Sequence, residues 1–223
     1  PPPIVMLPIR TFRVGFRRIS NTVLPRDTHA RPMPGSISID PILKTIADAP
    51  LAANSMRYQP VLHIVLHEPE IPPNAGNVGR TCVGIGAKMW LVRPIAFSLD
   101  DYYLRRAGLD YWDELEWEVV DDWEHLERRL TESGAGARWL FSARATRGYT
   151  EVAFARRDVL VFGKESAGLP PEIVSAHRAG LLTIPSRPEV RSLNVANCAA
   201  VAAYEAIRQW GGDPRLCQDP AGG

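Results

Sequence analysis

An α/β fold on a mostly parallel sheet flanked by helices is what this sequence of 223 residues predicts. Three observations carry the prediction. From Val61 onward, apolar runs of strand length alternate with stretches of helix length. Turn-forming loops rich in Gly, Pro and Asn follow several of those runs, where open α/β sheets gather their ligands. A content of 45% hydrophobic and 23% charged residues is ordinary for a globular chain, and the length suffices to bury a core without staples.

Each element follows from its own pattern. Residues 61–66 (VLHIVL) form an apolar run of strand length, and residues 78–86 (VGRTCVGIG) read as a helix. Residues 89–92 (MWLV) and 117–120 (WEVV) are strand-like, with a polar helix expected over 100–107 between them. Trp123, Leu126 and Leu130 recur at helical spacing behind Asp121 and Asp122 and ahead of Gly134, which predicts a capped amphipathic helix. Residues 138–142, 159–163 and 181–185 supply three more strands, and Pro170-Pro171 launches a helix after the second of them. The last helix runs from Asn194 to Trp210 and ends at Gly211-Gly212.

The first 56 residues have a different texture, rich in Pro and Arg and without a sustained period of 2 or 3.6. Three readings stand: a disordered extension, an Arg-rich targeting segment, or translation read from too far upstream, with Met56 as the working start. The third is preferred, because the ordered pattern begins within a few residues of Met56. The expected organisation is thus residues 1–56 apart, one main domain over 57–215, and a flexible tail over 216–223. Seven Lys/Arg against three Asp give residues 1–56 a charge of +4, so the rest carries −3 of the net +1. A mildly acidic domain binds nucleic acid only through a local basic patch. Three scattered cysteines (Cys82, Cys198, Cys217) indicate neither a disulfide framework nor a zinc site, and a reducing cytoplasm is the natural setting. No apolar run reaches membrane-spanning length, and His63, His67, His125 and His177 show no metal-ligand spacing.

Three loops stand out. Loop one, EPEIPPNAGNVGR (68–80), places Asn74, Asn77 and Arg80 in a Gly-containing turn that opens a helix. The Asn residues could be helix caps. Arg80 sits awkwardly at a positive helix end, which a nearby phosphate would resolve. Loop two, FGKESAGLPP (162–171), lacks the spacing of a phosphate-binding P-loop, since Asp158 stands where the first Gly belongs. It offers backbone groups to a small polar ligand instead. Loop three, IPSRPEVRSLN (184–194), leads into VANCAAVAAYEAIRQ, a helix small or apolar nearly all round. Ser192 or Asn194 could simply cap it. No G-x-S-x-G elbow supports a serine hydrolase, and Asp121-Asp122 read as caps rather than an acid/base pair.

Taken together, N-x-x-N-x-x-R, F-G-x-E-x-x-G-L-P and I-P…S-L-N-V, in this order, resemble the three motifs of the SPOUT (α/β-knot) RNA ribose 2′-O-methyltransferases. LHIVLHEPEIPPNAGNVGRTC, LRRAGLDYW and RSLNVANCAAVAAYEAIRQ look like the minimal TrmL-like branch, the tRNA (cytidine/uridine-2′-O)-methyltransferases of the wobble nucleotide. The resemblance covers about residues 60–212. It implies a C-terminal deep trefoil knot, a homodimer, S-adenosyl-L-methionine as cofactor and a tRNA anticodon stem-loop as partner, with no membrane and no metal. Carried over by position, Phe141, Gly163, Glu165, Ile184, Ser192 and Leu193 would bind the cofactor. Arg80 would fix the target phosphate and help deprotonate the ribose hydroxyl, while Asn77 and Asn194 orient the ribose and hold loop one against loop three. Arg105, Arg106 and Tyr111, extended by Arg144, would meet the RNA by phosphate binding and base stacking. Two departures are Ala196, where the branch often has Ser, and G-K-E-S-A-G in place of G-P-E-T-x-G in loop two. The competing readings are a knotted RNA-binding protein without catalysis and a methyltransferase of ribosomal RNA.

Overall fold

The computed structural model describes residues 58–98 and 112–216. The expectations for residues 1–56, for the helix over 100–107, for Arg105, Arg106 and Tyr111, and for most of the tail lie outside these residues.

Six strands form one sheet: β1 (His63–His67), β2 (Lys88–Val92), β3 (Trp117–Val120), β4 (Arg138–Phe141), β5 (Val159–Phe162) and β6 (Leu181–Leu182). Their spatial order is β3-β2-β1-β5-β4-β6, and every neighbouring pair is parallel. The chain builds outward from β1 to β3, then returns to the other side of β1 for the remaining strands. The direction of winding therefore reverses between β1 and β5, the place where open parallel sheets form a ligand crevice.

Period-two alternation divides the core. Ile64, Leu66, Met89, Leu91, Leu160 and Phe162 face one layer, and Val65, Trp90, Val92, Val159 and Val161 face the other. Helices α1 (Pro72–Ile85) and α4 (Val195–Gln209) cover the first face, while α2 (Trp123–Glu132) and α3 (Pro171–Ala176) cover the second. Because both faces are covered, β1, β2 and β5 are buried at every position. Helix α4 buries Ala196, Ala199, Ala202, Ala203 and Ala206 in the layer it shares with α1. The absence of bulk beyond Cβ lets the two backbones approach closely.

Local signals explain the boundaries. The Asp122 carboxylate accepts the His125 N–H at 2.7 Å and so caps α2. Asn194 caps α4, which excludes Ser192 from that role, and Gly211 and Gly212 follow at positive φ. Two expectations need correction. Helix α1 begins at Pro72, six residues before the expected start, because Pro72 and Pro73 are pre-set for the first helical turn. Its cap position is Ile71, with no side-chain cap bond, so the Asn residues are not caps. The strand expected over 181–185 has only two residues, with Thr183 adding a lone bridge to Gly148. Pro185 has no N–H to continue a ladder.

His63 is fully buried and accepts the Trp90 indole N–H at 3.1 Å through Nδ1. His177 packs against Trp123. Among the described residues, no helix is long and apolar enough to cross a membrane.

Candidate functional site

The loops past β1, β5 and β6 converge at the carboxyl end of the sheet. Glu165 of loop two reaches into loop one, where its carboxylate accepts the Glu70 backbone N–H and the Asn74 side-chain amide, both at 2.9 Å. The tie is reciprocated: the Glu70 carboxylate accepts the Ser166 N–H and hydroxyl, each at 2.8 Å. Those two donors hold the Glu70 carboxyl below the usual carboxylate range. A third tie joins Lys164 to Glu68 at 2.8 Å, and the Glu68 carboxylate raises the lysine above its ordinary pKa. Glu68 itself has φ 51, a left-handed conformation uncommon outside Gly and Asn.

Loop three joins the same network. Asn194 Nδ2 donates to Asn74 Oδ1 at 2.9 Å, and Asn194 Oδ1 accepts the Ala196 N–H at 2.9 Å. One side chain therefore caps α4 and fastens it to the first turn of α1. Asn74 is 6% exposed and spends both ends of its amide on the other two loops. A buried amide satisfied in this way is a rigid strut.

Beside the strut lies a cleft of about 530 Å³, within the usual range of about 300–1,000 Å³ for small-molecule sites. Phe141 and Phe162, at the ends of β4 and β5, line it with rings stacked 4.8 Å apart and 17° from parallel. Gly163 follows, so close to Gly168 and Leu169 that a Cβ there would lie inside their backbone atoms. Loop two thus folds back on the strand end, and Gly163 itself offers the wall main-chain groups alone. Cys198 of α4 also lines the cleft, with burial pushing its thiol pKa upward.

The structure gathers most of the expected site residues. Phe141, Gly163, Glu165, Ile184, Ser192 and Leu193 all line this one cleft, together with Arg144 and Asn194. Asn77 and Arg80 do not. They stand on the exposed face of α1, within the helix rather than in a turn that opens it. The helix-end argument for Arg80 therefore lapses, because a mid-helix position does not feel the terminal partial charge. The bond between loops one and three belongs to Asn74, not Asn77, whose carbonyl accepts the Thr81 hydroxyl. The tie of Asn194 to loop one holds as expected, and the residue that sequence reasoning missed is its partner, Asn74. Its signal was the Pro-Pro pair, which places Asn74 inside the first turn and facing the core. Among the described residues, no cluster of His, Cys, Asp and Glu has the arrangement of a metal site.

Residues 61–204 match the SpoU rRNA Methylase family. The tRNA (cytidine(34)-2′-O)-methyltransferase of Methylovorus glucosotrophus is 44% identical over 151 residues, spanning 66% of this chain and 94% of that protein. The enzyme of the same name from Saccharophagus degradans is 42% identical over 152 residues, spanning 68% of this chain and 97% of that protein. A solved structure concerned with the 2-OH methylation of C/U34 on tRNA is 43% identical, with a TM-score of 0.65 over 70% of this chain and 100% of that one. An AdoMet-bound rRNA methyltransferase from Sinorhizobium meliloti, 23% identical with a TM-score of 0.60, shares the fold.

Proposed function

Because this chain belongs to the SpoU rRNA methylase family, we propose that it methylates tRNA, moving a methyl group from S-adenosyl-L-methionine to the ribose 2′-hydroxyl of the cytidine or uridine at position 34. Relatives of the cytidine(34) class, matched over nearly their whole length, support the substrate. The observation that carries the reading is the single cleft in which all six expected cofactor residues meet, braced by the Asn74–Glu165–Asn194 strut.

The cleft fits the cofactor in chemistry as well as size. Stacked Phe141 and Phe162 offer an aromatic surface, and the wall at Gly163 presents main-chain groups. Phe141, Gly163, Ile184 and the Ser192-Leu193 turn would hold it, while Glu165 keeps loop two closed on loop one. When bound, the cofactor supplies an electrophilic methyl group on a sulfonium. The chain must then orient a ribose hydroxyl and give its proton a destination, because the neutral hydroxyl is a poor nucleophile. Asn194, at the cleft edge, orients the ribose. Arg80 holds the target phosphate, with Asn77 beside it on the same helix face. A guanidinium stays protonated at neutral pH, so the proton leaves by way of that phosphate rather than to Arg80 itself.

The reading extends to a trefoil knot, a homodimer and a cytoplasmic setting. Supporting the knot, residues 183–194 return from β6 at the sheet edge past the ends of β4 and β5 before α4 packs into the layer of α1. Supporting the dimer, α4 leaves Val201 and Tyr204 exposed at 40% and 54% on its outer face. Arg105, Arg106 and Tyr111 complete the proposed RNA contact.

The test is incubation with labelled S-adenosyl-L-methionine and unmodified tRNA, followed by mass mapping of the product. A ribose methyl on nucleotide 34 is expected. Label only in ribosomal RNA would move the reading to that substrate. No label, with RNA binding intact, would leave a binding protein without catalysis.

A further inference from the structure

Four arginines stand in the stretches 142–148 past β4 and 183–194 past β6, and two of them are committed to partners among the described residues. Arg147 donates to the carbonyls of Ala179 and Glu151, and Arg187 is paired with Glu189 at 2.8 Å. The Arg144 and Arg191 guanidinium groups, both exposed and both lining the cleft, have no partner among the described residues.

The acidic groups that could have balanced them are spent elsewhere. Glu68 is taken by Lys164, Glu70 by Ser166, and Glu165 by loop one. Among the described residues, Glu165 is also the only carboxylate lining the cleft, against Arg144, Lys164 and Arg191. Among the described residues, the mouth therefore carries the Arg144 and Arg191 charges without an acidic partner. S-adenosyl-L-methionine cannot do so, since its sulfonium and ammonium outweigh its one carboxylate. A phosphodiester can, and a guanidinium fork matches it with two parallel hydrogen bonds.

We propose that Arg191, together with Arg144, forms a clamp at the cleft mouth for a backbone phosphate of the substrate RNA, a role that rests on the cleft being the methyl-transfer site. Arg191 is then a positioning residue for the RNA. Asn194, by contrast, is committed to Asn74 and to the cap of α4. Arg80 would hold the target phosphate and the Arg191 clamp a different one.

The experiment measures binding of an anticodon stem-loop RNA and of a generic single-stranded RNA across a salt series, alongside cofactor affinity by calorimetry. For Arg191→Ala, RNA affinity should fall about tenfold, and the slope of log affinity against log salt should shrink by about 0.7–0.9. Cofactor affinity should hold or rise. Arg191→Lys should keep the slope while losing part of the affinity, because it keeps the charge but not the fork. Arg144→Ala/Arg191→Ala should remove about twice the slope of the single change. An unchanged slope, or a fall in cofactor affinity instead, would overturn the clamp. The two readings can fail separately. If the wild-type protein methylates tRNA while Arg191→Ala keeps the full slope, the clamp falls and the activity stands. If it methylates nothing while RNA binding still depends on Arg191, the activity falls, and with it the positioning role, leaving only an RNA-phosphate contact at Arg191. If it binds no RNA, both fall.

Discussion

Asn194 and Asn74 meet side chain to side chain at 2.9 Å although 120 residues separate them. Through that contact the start of α4 is locked to the start of α1, and through Asn74 to Glu165, the start of α1 is locked to loop two. Three loops from remote parts of the chain thus share one hydrogen-bonded line along the side of the cleft.

Breaking the line should be costly in a way that depends on charge. Asn74→Ala removes a hydrogen-bond partner from both Glu165 and Asn194 and should cost about 1–3 kcal/mol in urea unfolding. Asn74→Asp would set a second carboxylate against Glu165, so that the pair ionises only once at low cost. Its deficit should be larger at pH 7 than at pH 5. An equal deficit at the two pH values would show that Asn74 and Glu165 do not face each other in solution.

Gly163→Ala should separate folding from ligand binding. The added Cβ has no room beside the backbone of Gly168 and Leu169, so loop two must swing away from the end of β5. The sheet does not depend on that loop, and the far-UV spectrum should be unchanged. Cofactor affinity by calorimetry should drop by about tenfold or more, the scale of one lost set of backbone hydrogen bonds. Unchanged affinity would mean the wall at Gly163 does not touch the cofactor.

Arg80 stands outside the cleft, and its replacement should act on transfer alone. Arg80→Ala should lower the methylation rate by at least about 100-fold, as when a transition-state donor is lost, with cofactor affinity near normal. A parallel loss of both would return Arg80 to the cofactor pocket.

The buried His63 should make the fold acid-sensitive. Burial first, and the Lys88 charge second, lower its pKa to about 3. The unfolded chain takes up that proton near pH 6.5 and the folded chain refuses it. Its contribution to stability is therefore complete above about pH 6.5 and is lost as the pH falls toward 3, by about 1.4 kcal/mol per pH unit. His67, also lowered by burial, adds in the same sense. Urea unfolding between pH 7 and 5 should show the slope, and His63→Gln, which keeps an acceptor for Trp90, should flatten it. A His63 ring titrating near 6.5 by NMR in the folded protein would refute the assignment.

The sequence by itself determined the string of strands and helices. Alternation of two and spacing of 3.6 are local properties, and residues 117–120 and the capped helix behind Asp122 emerged almost to the residue. It also singled out the three loops that the structure brings to one cleft, since their unusual polar residues interrupt an otherwise apolar pattern. What it left undecided were relations between remote residues. The amide of Asn74, and not that of Asn77, reaches Asn194, because the Pro72-Pro73 start fixes which side of α1 faces the core. Among the described residues, Arg144 and Arg191 have no acidic partner, while Glu68, Glu70 and Glu165 find theirs across the loops. Those choices depend on the strand order β3-β2-β1-β5-β4-β6, which sets the ends of β1, β5, β4 and β6 side by side. Parallel pairing between distant segments leaves no period in the chain, so only packing in three dimensions could decide it.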